Sequence, residues 1–248
     1  MHNKLIVLVA IAIFMAATTN SLAQKKNNIK REVTKVSEPL TIDGSANEEA
    51  WNKAKWMPLD QRWLGDKYSS EDFSGRYKLL WSEDALHLYV EVTDDILFDQ
   101  YDDPLKLWWD DDCVEVFIDE DNSGGEHQYN HNAFAYHIAL DYNVVDLGPD
   151  NNPHLYNDHF EVKRTLKNNL STWEMSIKIF DDSFKDGGQN TAVKLTRNKN
   201  IGFALAYCDN DQSVERENFI GSEPVEGEDK NRGWIDAGIF GTLVLVDR

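Results

Sequence analysis

Residues 113–119 read Cys-Val-Glu-Val-Phe-Ile-Asp, and this stretch decides the fold because its side chains alternate in character. Val114, Val116 and Ile118 share one face of an extended chain, since successive side chains of a strand point to opposite sides. Glu115 lies on the other face. The period predicts a β-strand with one apolar face packed on a core.

Similar short segments, separated by polar turns, run along the rest of the chain. They lie at 77–81, 86–92, 134–140, 160–165, 173–179, 201–207 and 242–246. Residues 82–85 form a turn between the first two segments, which predicts a hairpin. Residues 48–55 are the best candidate for a short helix, with Trp51 on its inner face. Many strands and few helical stretches predict an all-β sandwich or barrel in one domain.

The first residues have the pattern of a secretory signal peptide. An apolar run at 5–17 is followed by small residues up to Ala23, so we expect residues 1–23 to be removed. No Cys stands at the cleavage point, so the product is not expected to be a lipoprotein, and no other apolar stretch is long enough to span a membrane. We expect an exported protein, periplasmic or extracellular, with a flexible lead-in at 24–32 and one domain at 33–248.

The chain is strongly acidic, with a formal net charge of −19. Such a surface disfavours nucleic acid and acidic membranes as partners and favours neutral ligands and cations. Cys113 and Cys208 are the two cysteines of the chain. They could form a disulfide in an oxidising compartment, but the sequence does not give their separation.

Two of the eight tryptophans lie in polar loops. Trp109 precedes a run of aspartates, and Trp234 follows Asn231-Arg-Gly. An indole in a polar loop exposes an apolar face to water, which is unfavourable unless something covers it. Pyranose rings can cover such a face with their C–H groups. Burial of each indole in its own loop would explain the same residues.

Two acidic residues flank the start of the strand at 113–119. Asp112 and Glu115 could form the carboxylate pair of a glycosidase. However, residues three apart on a strand point to opposite faces. Acceptance of hydrogen bonds from sugar hydroxyls explains these carboxylates without catalysis, and we favour it.

The loop after this strand is rich in oxygen donors. Asp119, Asp121, Asn122 and Glu126 surround a Gly-Gly turn, a pattern that suits Ca²⁺, which takes six to eight oxygen ligands. The spacing is not that of an EF-hand. A solvated acidic turn is the competing interpretation.

Several ordered segments resemble the family 9 carbohydrate-binding modules, over nearly the whole exported chain. Residues 40–44 (LTIDG), followed by Trp51, resemble the opening of that family. The strongest match is 109–119 (WDDDCVEVFID), and 234–236 with 240–243 resemble its closing segments. The resemblance implies a two-sheet antiparallel β-sandwich, jelly-roll-like, that binds carbohydrate and holds structural Ca²⁺.

The resemblance also implies roles for particular residues. The two clamping tryptophans of the family map onto Trp109 and Trp234, its sugar-bonding Glu onto Glu115, and its Asn onto Asn231. Asp112 matches the signature Asp, which shapes a loop or bonds sugar.

The chain departs from the family pattern at two of its candidate sugar ligands. Where well-studied members carry an Arg, the segment at 135–138 offers His137. Asp209 is a further candidate, in a segment where Cys208 replaces an expected Asn.

These observations predict a non-catalytic protein that captures the end of an oligo- or polysaccharide in support of extracellular carbohydrate catabolism. A separate glycoside hydrolase is a possible partner. Two alternatives remain open at this point. One is a small glycoside hydrolase that uses Glu115. The other is a haem-binding electron-transfer sandwich, for which Met57 and Met175 are the available methionine ligands.

Overall fold

The computed structural model describes Asn27 and residues 29–247, so the predicted signal peptide at 1–23 lies outside the described residues. Within the described part of the chain, no helix has the length and apolar character that a membrane span requires.

Short strands dominate the described residues, with three one-turn 3₁₀ helices at Glu49–Lys53, Asn157–His159 and Ala237–Ile239. The strands are β1 (Lys30–Lys35), β2 (Met57–Leu59), β3 (Gln61–Leu64), β4 (Phe73–Trp81), β5 (Leu86–Asp94), β6 (Cys113–Asp119), β7 (Phe134–Ala139), β8 (Val144–Leu147), β9 (Pro153–Leu155), β10 (Phe160–Lys167), β11 (Leu170–Ile177), β12 (Asn200–Asp209), β13 (Asn218–Gly221) and β14 (Gly241–Val246). Each predicted strand is present, and the predicted helix is the 3₁₀ helix that carries buried Trp51. The predicted lead-in differs, because Lys30 to Glu32 already belong to β1.

The strands form two layers joined by β1. The hydrogen-bonded order is β10-β11-β5-β4-β1-β14-β12-β6-β7-β8-β9. Strand β1 pairs in parallel with both β4 and β14, whereas the other neighbours pair antiparallel. The fold is therefore the predicted all-β sandwich, with one parallel strand that links the two layers.

The core lies between the layers, and the alternation of residues sets which side chains enter it. Leu88 and Val90 of β5 and Val114 and Val116 of β6 belong to one buried cluster. Tyr77 of β4 lies 6.0 Å, ring centre to ring centre, from Phe203 of β12, a strand of the opposite layer. The burial of these aromatic and branched side chains supplies the main stabilisation of the sandwich.

A second, smaller apolar cluster covers the outer face of β6 and β12. Phe117 of β6 packs there against Trp63 and Phe240, and Trp63 packs on Phe219 of β13. Gly221 leaves room for Trp63, because a Cβ at this position would lie 2.1 Å from the indole. This cluster fixes the loops that lead to the functional site.

A buried carboxylate explains the Ile-Asp-Gly segment near the start of the domain. Glu174 of β11 accepts hydrogen bonds from the backbone N–H groups of Asp43 and Gly44, both at 3.0 Å, and from the indole N–H of Trp51 at 3.0 Å. Its side chain has no exposed surface. Glu174 thus ties the segment before β2 to the sandwich.

We expect Glu174→Ala to lower the free energy of unfolding by about 3 kcal/mol, because it leaves three donors, two of them buried, without an acceptor. Urea denaturation monitored by tryptophan fluorescence measures this. Glu161→Ala, at an exposed position of neighbouring β10, is the matched control and should change stability by less than about 0.5 kcal/mol. Equal, small effects of both substitutions would contradict the anchoring role.

Candidate functional site

An aromatic cleft of about 410 Å³ lies on the outer face of β6 and β7, beside the second apolar cluster. Its walls are largely aromatic and its floor is polar. Its lining includes Trp109, Glu115, His137, Arg216, Asn231 and Trp234. We call this site the aromatic cleft.

Trp109 and Trp234 both line the cleft, as the sequence predicted, and both indoles are half-buried. Trp109 lies in the loop before β6 and packs edge-on against Trp108, with ring centres 4.7 Å apart. Trp234 lies in the loop before β14, and its indole N–H donates to the carbonyl of Asn231 at 3.1 Å. Each indole therefore keeps part of its apolar face open to the cleft.

A buried histidine positions the loop of Trp234. The backbone N–H of His127 donates to the carbonyl of Ile235 at 2.8 Å, and its Nε2 donates to the carbonyl of Gly233 at 2.7 Å. Burial lowers the pKa of His127, so the ring stays neutral at physiological pH. His127 thus fixes the loop on both sides of the tryptophan, through its side chain at Gly233 and through its backbone at Ile235.

The floor of the cleft is a buried carboxylate with several donors. Glu115 and His137 stand opposite each other on β6 and β7. Oε1 of Glu115 lies 2.6 Å from Nε2 of His137, 3.1 Å from Nη1 of Arg216 and 3.2 Å from Sγ of Cys208. Burial alone would raise the pKa of Glu115, but the charges of His137 and Arg216 and the hydrogen bonds from His137 and Cys208 outweigh it. The pKa of Glu115 therefore lies below its ordinary value.

The hydrogen bonds within the floor of the cleft leave particular acceptor and donor atoms available to a ligand. Oε1 of Glu115 takes all three of those contacts, whereas Oε2 takes none of them. Nη2 of Arg216 donates to Oδ1 of Asn231 at 3.2 Å, so the amide nitrogen of Asn231 keeps its own N–H groups. The floor thus offers one strong acceptor beside fixed donors.

Arg216, which was not predicted as a site residue, comes from the loop between β12 and β13. Its guanidinium stacks over the ring of Phe219 at 4.1 Å, and its backbone N–H donates to Asp110 at 3.2 Å. His137 lies in the site as predicted, but Arg216 also supplies a guanidinium there. Arg216 lies 101 residues from Glu115 in the chain, so no local sequence pattern indicates that the two side chains pair.

Asp112 and Asp209 do not line the cleft. Asp112 is fully buried and accepts backbone N–H groups from Phe98 at 2.6 Å and Asn210 at 2.8 Å, so it joins two loops. Burial, and then the charge of Asp94, raise the pKa of Asp112 to about 9. Of the two predicted roles of Asp112, the structure supports loop shaping.

Cys113 and Cys208 face each other across β6 and β12, and both are buried free thiols. Burial raises the pKa of both thiols. In this structure Cys208 serves the floor as a donor to Glu115.

The residues predicted to hold Ca²⁺, Asp119, Asp121, Asn122 and Glu126, lie at the end of β6 and in the loop after it. Oδ2 of Asp119 accepts the N–H of Gly124, and its Oδ1 is buried without a hydrogen-bond partner. Asn122 Oδ1, however, accepts from Thr242, and Glu126 is exposed. Among the described residues, the carboxylates of Asp119 and Glu126 belong to no group of three that could share an ion.

Another group of carboxylates does converge, at the ends of β5 and β12. The oxygens of Asp94, Asp209 and Asp211 lie within 4.8 Å of one another, and those of Asp72, Asp95 and Asp211 form an overlapping group. Asp209 is 97% buried. Burial, and then the charge of Asp94, raise its pKa to about 8. Oxygen ligands from three chain segments at this spacing suit Ca²⁺.

A β-sandwich with an aromatic cleft on an outer face is the architecture of a carbohydrate-binding module. Residues 42–248 match the family described as carbohydrate family 9 binding domain-like. The chain belongs to this family.

Two solved structures and one longer enzyme are similar to this chain. A family 9 carbohydrate-binding module from Caldicellulosiruptor kristjanssonii in complex with glucose has a TM-score of 0.63 and 19% identity, covering 88% of this chain and 96% of that chain. Its structure in complex with cellotriose gives 0.62 and 19%, over 88% and 95%. Endo-1,4-beta-xylanase A of Thermotoga maritima is 23% identical over 233 residues, which is 92% of this chain. The chain spans 19% of the length of that xylanase.

We expect Arg216→Ala to lower the free energy of unfolding at pH 7 by about 3 kcal/mol, because it leaves Glu115 buried with less compensation. The pKa of Glu115 lies below its ordinary value, so its ionised form stabilises the fold above the unfolded pKa and loses this effect as the pH falls. The cost of Arg216→Ala should therefore shrink toward pH 4.

Urea denaturation at both pH values measures this difference. Arg62→Ala, an exposed arginine of β3, is the control and should cost less than about 0.5 kcal/mol at either pH. A pH-independent cost of Arg216→Ala would show that Glu115 is not the group it serves.

Proposed function

We propose that this protein is a non-catalytic module that captures the end of an oligo- or polysaccharide in the aromatic cleft, between Trp109 and Trp234. The observation that carries the proposal is the pair of half-buried indoles that line one cleft together with a buried, ionised carboxylate. The family supports carbohydrate as the ligand. We place this role in extracellular carbohydrate catabolism because the N-terminal residues have the pattern of a signal peptide.

The floor suits two neighbouring sugar hydroxyls. One hydroxyl donates to Oε2 of Glu115, and the next accepts from the amide of Asn231 or the guanidinium of Arg216. Each hydrogen bond to a charged group contributes about 1.5–3 kcal/mol. Stacking on each indole adds on the order of 1 kcal/mol beyond buried area. After the cost of association, we expect an affinity in the micromolar range.

The proposal of a protein partner rests on a relative of the chain and not on the geometry of the cleft. The Thermotoga maritima relative is a much longer xylanase, of which this chain matches 19%. We propose that this chain presents glycans to a separate glycoside hydrolase.

Catalysis by Glu115 fits the geometry less well. A glycosidase needs a second carboxyl group to act with the first. Asp146 also lines the cleft, but its oxygens accept the backbone N–H groups of Ala135 at 2.8 Å and Leu147 at 2.7 Å. The low pKa of Glu115 also makes it a poor general acid at neutral pH.

Haem binding in the cleft lacks its predicted methionine ligands. Met175 is fully buried in the main core, and Met57 packs at the edge of that core, away from the cleft.

We expect Trp109→Ala and Trp234→Ala each to weaken sugar binding by at least about tenfold, because each removes one stacking surface. Isothermal titration calorimetry with glucose and cellotriose measures this. Leu166→Ala removes an exposed apolar side chain outside the cleft and is the control that should leave the affinity unchanged.

Melting curves confirm that the variants fold. Unchanged affinity in both cleft variants would overturn the clamp. Release of reducing sugar from a glycan panel, lost in Glu115→Gln, would instead support the hydrolase.

We also propose that Ca²⁺ binds the aspartates at the ends of β5 and β12, with Asp94, Asp209 and Asp211 as its ligands. The support is chemical. Tyr207 donates to Asp94, whereas no hydrogen bond reaches the buried carboxylate of Asp209 from the described residues, and Oδ1 of Asp211 is buried without a partner. A cation would compensate these charges.

We expect calcium to raise the melting temperature of the protein relative to EDTA. Ligand binding at about a hundred times Kd stabilises the fold by about 2.7 kcal/mol. Asp209→Asn should abolish the calcium effect, whereas Asp121→Asn, in the loop after β6, should keep it. Differential scanning fluorimetry measures both, and the reverse result would place the ion in the loop after β6.

A further inference from the structure

A second groove, of about 650 Å³, lies where the sheet divides. Strand β1 pairs with β4 only through Thr34 and Lys35, although it pairs with β14 along most of its length. The first half of β1 and the segment before β2 therefore stand apart, with Leu79 of β4 lining the gap between them. This basic groove shares no residue with the aromatic cleft.

The groove is positive in an otherwise acidic protein. Lys30, Arg31, Lys53 and Lys55 line it, and Glu32 is its acidic residue. Arg31 is paired with buried Glu223, at 2.6 Å. Among the described residues, the ammonium groups of Lys30, Lys53 and Lys55 take part in no ion pair, although the chain carries 44 acids against 25 bases.

An exposed tryptophan lies among these lysines. The side chain of Trp56 is 37% exposed. The guanidinium of Arg76 lies 4.0 Å and the ammonium of Lys78 4.4 Å from its ring centre. These two residues are two apart on β4, so their side chains lie on the same face of the sheet. Their cation–π contacts, together with Tyr89 at 5.9 Å between ring centres, hold the indole in place and leave part of it open to solvent.

We propose that the basic groove is a second carbohydrate-binding site, one that takes an acidic polysaccharide with carboxylate or sulfate groups. The apolar face of a pyranose ring stacks on Trp56, and its anionic groups approach the ammonium groups of Lys30, Lys53 and Lys55, which form no ion pair within the part of the chain that the structure describes. The site is independent of the aromatic cleft, so its existence does not rest on the function proposed for that cleft.

The pairing of a flat aromatic surface with free cations favours a glycan over other polyanions. A nucleic acid carries a charge about every 1.7 Å of duplex, a higher charge density than that of a polysaccharide with one charge per ring, so the net negative charge of the chain opposes it more strongly. An acidic peptide offers charge but no flat C–H face for Trp56. An acidic polysaccharide carries at most a few charges per ring and presents both chemistries.

The lysines are exposed, so binding at this groove must depend on salt. Exposed charges interact over about 8 Å at physiological ionic strength and less as salt is added. Sugar binding in the aromatic cleft, by contrast, rests on buried groups and neutral hydroxyls. We therefore expect added salt to weaken binding at the basic groove and to have little effect on sugar binding in the aromatic cleft.

The test is affinity electrophoresis and calorimetry of the full exported chain with polygalacturonate and with chondroitin sulfate, which distinguish carboxylate from sulfate. We expect binding to at least one of them that weakens with salt. Lys53→Gln with Lys55→Gln should weaken it by at least about fivefold, and Trp56→Ala should weaken it further. Trp109→Ala should leave it unchanged.

Matched controls separate this site from general attraction of polyanions. Lys67→Gln with Lys167→Gln removes two exposed lysines elsewhere and should have no effect. Neutral dextran and poly-glutamate serve as ligand controls. Absence of binding to both acidic glycans, or equal binding to poly-glutamate, would overturn the proposal. Trp109→Ala should lose neutral-sugar binding and keep acidic-glycan binding. The loss concerns only the function proposed for the aromatic cleft, so the two proposals can fail separately.

Discussion

The site depends on one buried charge, the carboxylate of Glu115. A carboxylate on the outer face of β6 with almost no exposed surface is tolerated only if cations and donors compensate it. His137 supplies one partner from β7, through direct cross-strand pairing, and Arg216 supplies the other from a distant loop. This requirement fixes three chain segments around one oxygen atom and leaves the second oxygen for a ligand.

The rigid sandwich explains why loops can hold a preorganised cleft. The loop of Trp109 is held through Asp112, which accepts backbone N–H groups of its neighbours, and the loop of Trp234 through His127. Asp112, predicted to shape a loop or to bond sugar, and Asp209, predicted as a sugar ligand, do not line the cleft. Asp112 shows that an acidic residue near a binding loop can serve the loop itself.

The alternation of apolar and polar residues predicted long strands such as β5 and β6, because one face of each strand packs on the core. It could not predict β2, β8 and β9, because strands of three or four residues are too short to show an alternation. The resemblance placed Trp109 and Trp234 in one cleft. Neither the alternation of residues nor the resemblance predicted Arg216, because its role comes from a contact between residues 101 positions apart.

The most direct test of the clamp is an NMR titration of the indole N–H signals, assigned with Trp109→Phe and Trp234→Phe. The titration uses a panel of neutral sugars that includes glucose and cellotriose. We predict that the signals of both Trp109 and Trp234 shift together and saturate at the same sugar concentration, while the signal of Trp56 stays in place. Saturation of the protein by a neutral sugar with neither cleft indole shifted, or no response to any sugar in the panel, would contradict the account.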